Sequence, residues 1–194
     1  LLSEHGPLPK THPADLWGVL AIDVTQAYLN APATRTVYVQ LPPELDPNGE
    51  FCAKLEKTLY GCRDGASNWG EHLATTLQQF ESEPFVRGKV NPCSFYQRKS
   101  GVRGLVHSDD GFFCGPRWAL KRLEKELQQY FEIRSQIVGP CIDEGDKQEC
   151  TVLNRVLRFT QEGWEWEADP RLAQSIVDSY DQEYLHPYIT PGKA

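Results

Sequence analysis

Two aspartates stand side by side at Asp109 and Asp110, within the stretch Gly-Leu-Val-His-Ser-Asp-Asp-Gly-Phe-Phe-Cys of residues 104 to 114. Neighbouring carboxylates are the hard oxygen donors that divalent cations need, and two such cations are the usual means of moving a phosphoryl group. Most acidic pairs sit at exposed turns and bond only their own backbone. Here Leu105 and Val106 lead in and Phe112 and Phe113 lead out, the pattern of a tight hairpin that holds both carboxylates at the lip of a core. A third carboxylate, Asp23, interrupts the apolar run Val19-Leu-Ala-Ile-Asp-Val24. Burying it alone costs several kcal/mol or forces its protonation, so a cation is the expected partner. Taken alone, Asp23 reads equally well as a strand-end or cap residue.

The elements that must position these groups are legible in outline. Residues 1 to 15, with Pro7, Pro9 and Pro13, read as an extended lead. Strands are predicted at 17 to 24, 36 to 41 and 51 to 57. A helix follows over 67 to 80, where Trp69, Leu73, Leu77 and Phe80 make one stripe. Strands return at 93 to 98 and in the hairpin around Asp109. Pro116 fits the first turn of a second helix that buries Leu120, Leu123, Leu127, Tyr130 and Phe131 and turns Lys121, Arg122, Lys125 and Glu126 to water. A strand at 132 to 138 and a late hairpin, 150 to 160 with 164 to 168, come next. Asp169 is expected to cap a last helix, with Pro170 at its start and Leu172, Ile176 and Tyr180 facing inward. This order predicts an α+β fold, an antiparallel sheet with helices on one face.

Four blocks of sequence then occur in a recognisable order. Asp23-Val-Thr-Gln-Ala-Tyr-Leu-Asn30 comes first and Val37-Tyr-Val-Gln-Leu-Pro-Pro43 second. Leu55-Glu-Lys-Thr-Leu-Tyr-Gly-Cys-Arg-Asp-Gly-Ala-Ser-Asn-Trp69 is third, and His107-Ser-Asp-Asp110 closes the set. Over residues 17 to 160 the chain resembles the reverse transcriptase of copia-type retrotransposons. That family reads D-V-x-x-A-F/Y-L-N/G, V-Y-V/M-x-x-P-P, L-x-K-x-L-Y-G-L-K-Q-A-P-x-x-W and Y-V-D-D in these places. His107 and Ser108 depart from the Tyr-Val pair, and Asp64 stands where the family has Gln. A small Ser108 leaves less apolar support for a primer end, and Asp64 brings negative charge toward phosphates.

The resemblance implies an RNA-directed DNA polymerase of the polymerase palm type with partial fingers over 16 to 160, and the start of a thumb or connection over 161 to 194. It implies Asp23, Asp109 and Asp110 as catalytic residues and ligands of two Mg²⁺ ions, with Mn²⁺ a substitute. Asp23 would bridge the ions, Asp109 would be the shared ligand of the pair, and Asp110 the more peripheral. Nucleotide contacts are implied for Val24, Ala27, Tyr28, Arg63, Asp64 and Gly65. Tyr28 falls at the family's aromatic gate, where a ring beneath the sugar would exclude a ribose 2′ hydroxyl. Without the resemblance, Tyr28 reads as core and Arg63 as a surface cation. The implied partners are an RNA or DNA template with its primer, deoxynucleoside triphosphates, and the fingers, thumb and RNase H regions of a parent polyprotein.

Composition bounds these readings. A length of 194 residues supports a full core, whereas a net charge of −7 is awkward for an enzyme that grips phosphate backbones. Two alternatives therefore stand beside the polymerase: a catalytically inactive polymerase-derived fragment, and a nucleic-acid-binding module. With no Met, the chain reads as a piece of a larger product, expected to extend primers poorly by itself. No apolar run approaches a membrane span, so an intracellular setting, cytoplasmic or nuclear, is the default. The six cysteines lack C-x-x-C spacing and read as buried reduced thiols, and the histidines are placed poorly for zinc. Trp69 reads as core, Trp118 as core or stacking, and Trp164 and Trp166 as an aromatic hairpin face opposite Glu165 and Glu167.

Overall fold

A computed structural model describes residues 16–153, 155–168 and 170–179. Contacts divide the chain into two compact units, residues 1–148 and 149–194. The first unit is built on a six-stranded antiparallel sheet in the order β4-β5-β6-β7-β1-β8. Its strands are β1 (Trp17–Val24), β4 (Val86–Arg87), β5 (Ser94–Tyr96), β6 (Arg103–His107), β7 (Asp110–Pro116) and β8 (Ile133–Val138). The separate ladder of β2 (Tyr38–Gln40) and β3 (Cys52–Lys54) is only three residues long; just beyond Gln40, Pro42 and Pro43 have no amide hydrogen to continue it. The helices are α1 (Ala27–Asn30), α2 (Gly65–Gln78) and α3 (Arg117–Tyr130).

Strand alternation sorts the sheet into two faces. Leu20 stands opposite Phe113 and Ile137, and Phe95, Gly104 and Phe113 lie in one cross-strand row. These side chains join Trp69, Leu73 and Leu77 of α2 and Leu120, Leu123 and Leu127 of α3 in one buried cluster. Both longer helices therefore cover the same face, as the α+β reading expected. Gly104 is required there, since an added Cβ would sit 2.5 Å from the Phe113 ring. The opposite face carries Val19, Ala21 and Asp23 of β1, and no described helix is long and apolar enough to cross a membrane.

Several polar groups are buried against expectation. Glu126, predicted to face water, is buried because its carboxylate accepts from the Ser82 hydroxyl and from the Ser82 amide at 3.3 Å. Arg117 opens α3 at 4% exposure and donates Nε to Asp146 at 2.7 Å, tying the helix to the loop after β8. Without Asp146 the buried guanidinium keeps only the half-exposed Glu144 carboxylate and the Glu144 carbonyl. Asp146→Ala is therefore expected to lower unfolding stability by about 1–3 kcal/mol, read by denaturant titration.

Glu83 is similarly enclosed. Burial alone would raise its pKa, but the Lys99 and Ser100 amides, the Ser100 hydroxyl and Arg122 hold the carboxyl below its ordinary value of 4.5. A depressed carboxyl stabilises the fold above its unfolded pKa and loses that contribution as pH falls through the folded one. Glu83→Gln is thus expected to flatten the loss of melting temperature below pH 4.5.

The second unit holds β9 (Glu149–Val152), β10 (Arg155–Thr160), β11 (Gly163–Ala168) and α4 (Pro170–Ser179). The predicted late hairpin becomes three strands because Leu153, at φ 46, turns the chain between β9 and β10. A boundary at 160/161 would cut the β10–β11 ladder, whereas the division after residue 148 leaves it whole. On one face Arg158 reaches Glu149, Glu165 and Glu167, so the acidic face is cross-linked. On the other, Phe159 meets Trp164 edge-on at 5.1 Å. Leu172 and Ile176 were expected inward, yet both are more than half exposed. Asp169 and Tyr180 lie outside the described residues. No disulfide joins the six cysteines; Cys52 and Cys93 are exposed, contrary to a uniformly buried set.

Candidate active site

β1 and β7 pair in a register that sets Asp23 directly opposite Asp110. Directly opposed residues project from the same face with Cβ atoms roughly 5 Å apart, so the two carboxylates are neighbours on the face away from the helices. The row extends to His107 on one side of Asp110 and to Arg134 on the other side of Asp23. Asp109 lies in the turn between β6 and β7 and is exposed. Burial raises the Asp110 pKa, the charges of Asp109 and then Asp23 raise it further, and His107 opposes them. Asp109 and Asp23 thus both act on Asp110, and it is Asp110, not Asp109, that is paired in register with Asp23. Among the described residues, no group of three or more His, Cys, Asp or Glu side chains is assembled that could hold a metal ion.

The turn that presents Asp109 is held from three sides. Ser108 takes a left-handed backbone at φ 55, and its carbonyl accepts from Trp69 Nε1 at 2.7 Å. The Asp109 carbonyl accepts from the Val24 amide at 3.0 Å. The Tyr28 hydroxyl lies 3.5 Å from Ser108 Oγ. Trp69 was read as core, and its 1% exposure agrees. Its hydrogen bond to the aspartate turn was missed, because nothing in helical spacing says where an indole N–H will point.

The segment after Asp23 is shaped by Gln26, at φ 51, and by Asn30, whose Nδ2 donates to the carbonyls of Thr25, Gln26 and Ala27 at 3.2–3.4 Å. Ala27 is fully buried, and the amides of Val24 and Thr25 are spent on Asp109 and Glu132. Val24 therefore buttresses the turn, and neither its amide nor its side chain is open to a phosphate. The Tyr28 ring stacks on Tyr60 at 4.8 Å, a partner that sequence reading overlooked. Gly65, buried at the start of α2, lets that ring approach: an added Cβ would lie 3.2 Å from Tyr28 Cδ2. Its place in the site is steric, beneath Tyr28.

Arg63 is exposed. Asp64 is engaged by Arg35, whose Nε and Nη2 each donate at 3.2 Å, and it also accepts from Thr34 and Asn68. The Arg35 hydrogen bond is the main cause holding the Asp64 carboxyl below its ordinary pKa. The negative charge feared at this position is thereby countered from β2's approach loop, which no local sequence signal announced.

A search of known families finds one, described as Reverse transcriptase (RNA-dependent DNA polymerase), matching residues 12–138. Among curated proteins of Saccharomyces cerevisiae, the Transposon Ty1-DR4 Gag-Pol polyprotein is 33% identical over 70 residues, 36% of this chain and 4% of that protein. The Transposon Ty1-GR3 Gag-Pol polyprotein is 28% identical over 127 residues, 65% of this chain and 7% of the relative. The chain thus spans a small fraction of the polyproteins it matches. The chain belongs to the reverse transcriptase (RNA-dependent DNA polymerase) family, as a domain of the copia-type retrotransposon kind.

Proposed function

We propose that this domain adds deoxynucleotides to a primer on an RNA or DNA template, with the six-stranded sheet as a polymerase palm and Asp23 and Asp110 as its principal metal ligands. The observation that carries this reading is the Asp23–Asp110 register on the face of the sheet away from α2 and α3. Two facing carboxylates, one with its pKa raised by burial and by like charges, form a site with surplus negative charge. That suits Mg²⁺, which is commonly held by one or two carboxylates while substrate phosphates complete its coordination. Two such ions, when bound, polarise the primer 3′ hydroxyl and compensate charge on the departing pyrophosphate.

The chain's own residues do the positioning. Asp23 and Asp110 fix the cations from adjacent strands, and Asp109 adds charge from the turn. Trp69, the Val24 amide and Tyr28 hold that turn in its left-handed shape. The Tyr28 ring, braced by Tyr60, would supply the gate against a 2′ hydroxyl. Arg63, exposed next to Asp64, is left to meet triphosphate or template.

The first test is a thermal melt. Ionised Asp110 is a cost to the fold that a bound cation removes, so Mg²⁺ should raise the melting temperature of the chain. Asp110→Asn should abolish that increment. An increment that survives both Asp110→Asn and Asp23→Asn would remove the metal assignment.

A further inference from the structure

Although the chain carries a net charge of −7, residues 84 to 108 contain five Lys or Arg and no Asp or Glu. This stretch builds β4, β5 and β6, the edge half of the sheet. Arg87 is used internally, since it grips Glu71 at 2.8 Å and the Pro92 carbonyl at 2.7 Å. Lys89, Arg98, Lys99 and Arg103 are exposed and make no ion pair with any described residue. The acidity of the chain is therefore not shared by this edge.

The same edge presents a cavity and an aromatic ring. Val86, Tyr96, Arg103, Cys114 and Val19 stand opposite one another in a single cross-strand row. That row lies on the face away from α2 and α3, two residues along each strand from the Leu105–Phe112–Ala21 row and four from the His107–Asp110–Asp23 row. It is buried at Val19 and exposed at Arg103, Tyr96 and Val86. Arg103 stands directly opposite Cys114, so both side chains leave the sheet on this face. A shallow cavity of about 460 Å³ opens among Val86, Arg87, Ser94, Tyr96 and Arg103. Its volume is within the range that accepts a nucleotide-sized ligand. Tyr96 is 40% exposed beside it.

We propose that the β4–β5–β6 edge is a binding track for single-stranded nucleic acid, with a base stacked on Tyr96 and phosphates on Arg103 and Lys89. An exposed ring favours an unstacked base, and unpaired guanidinium and ammonium groups along the strand direction favour a phosphate backbone. Lys89, in the loop between β4 and β5, lies toward the Asp109 end of the sheet, while Arg98 and Lys99 occupy the turn at the far end. Strand geometry puts Tyr96 roughly 15–20 Å from Asp110. The track thus holds a strand away from the reacting atoms. The proposal rests on the polymerase reading for the identity of the polyanion, and its test needs no nucleotide addition.

The test measures anisotropy of a short fluorescein-labelled oligothymidylate with the 194-residue chain across a salt series. Arg103→Gln and Lys89→Gln should each reduce the slope of log affinity against log salt by about 0.7, the value of one lost single-strand phosphate contact. Tyr96→Ala should weaken binding about tenfold at unchanged slope. Binding is read without Mg²⁺ or nucleotide, so loss of polymerase function and loss of this track are separate results. The substitutions are on the surface, and circular dichroism verifies folding; if Arg103→Gln misfolds, Lys89→Gln in the loop carries the slope measurement alone. Unchanged slopes in folded variants would overturn the track. Equal competition by oligoglutamate would also overturn it and assign the edge to an acidic protein segment.

Discussion

Asp110→Asn is expected to lower nucleotide addition by about three orders of magnitude or more in a polypeptide long enough to hold template and primer. Metal-borne charge stabilisation of phosphoryl transfer is worth several kcal/mol, and each 1.36 kcal/mol is about a tenfold rate. Asn preserves shape but gives up the charge directly opposite Asp23. The defect should fall on the chemical step in single-turnover measurements while primer binding persists. Asp109→Asn should fall less far, because Asp109 sits in the exposed turn and acts on Asp110 chiefly through its charge. An Asp109→Asn defect deeper than that of Asp110→Asn would reverse their assigned roles.

Tyr28→Ala should admit ribonucleotides, narrowing the preference for dGTP over GTP by about a hundredfold. A ring that fills the space of a 2′ hydroxyl discriminates by collision, and its removal leaves only weak selection by one oxygen atom. Tyr28→Phe separates two roles of this residue. It keeps the ring on Tyr60 but loses the hydroxyl 3.5 Å from Ser108 Oγ. Sugar selection should therefore survive in the Phe variant. Equal dGTP preference in the Ala variant and the original chain would take Tyr28 out of the gate.

Much of this site was legible because its parts are local in the chain. Asp23 in an apolar run and Asp109-Asp110 between two apolar runs are short segments bounded by turn residues, and they fold as strands and turn. The pairing of Asp23 with Asp110, rather than with Asp109, was not legible, since register depends on two strands and a shift of one residue exchanges faces. Long-range polar contacts were equally hidden. Glu126 has the helical position of a solvated residue, yet Ser82 covers it from a distant loop. The Arg35–Asp64 pair and the Trp69 indole bond join blocks that the sequence presents separately. The exposed faces of Leu172 and Ile176 show that an apolar stripe reports a capacity for burial, not its fulfilment.

The position of β1 in the sheet has a consequence for the order in which the molecule can be made. Synthesised before any other strand of the six, it lies between β7 and β8, which emerge much later. A nascent chain ending before Ile133 leaves one edge of β1 without its ladder, and one ending before Asp110 leaves both open. Leu20, Ile22 and Val24 must therefore wait in a growing chain with no sheet to enter, a delay that loop-closure entropy lengthens. The carboxylate pair cannot be assembled early and elaborated later. It appears only once β7 pairs with β1, and ribosome pausing within residues 110 to 138, before β8 is added, should leave a protease-sensitive, aggregation-prone intermediate.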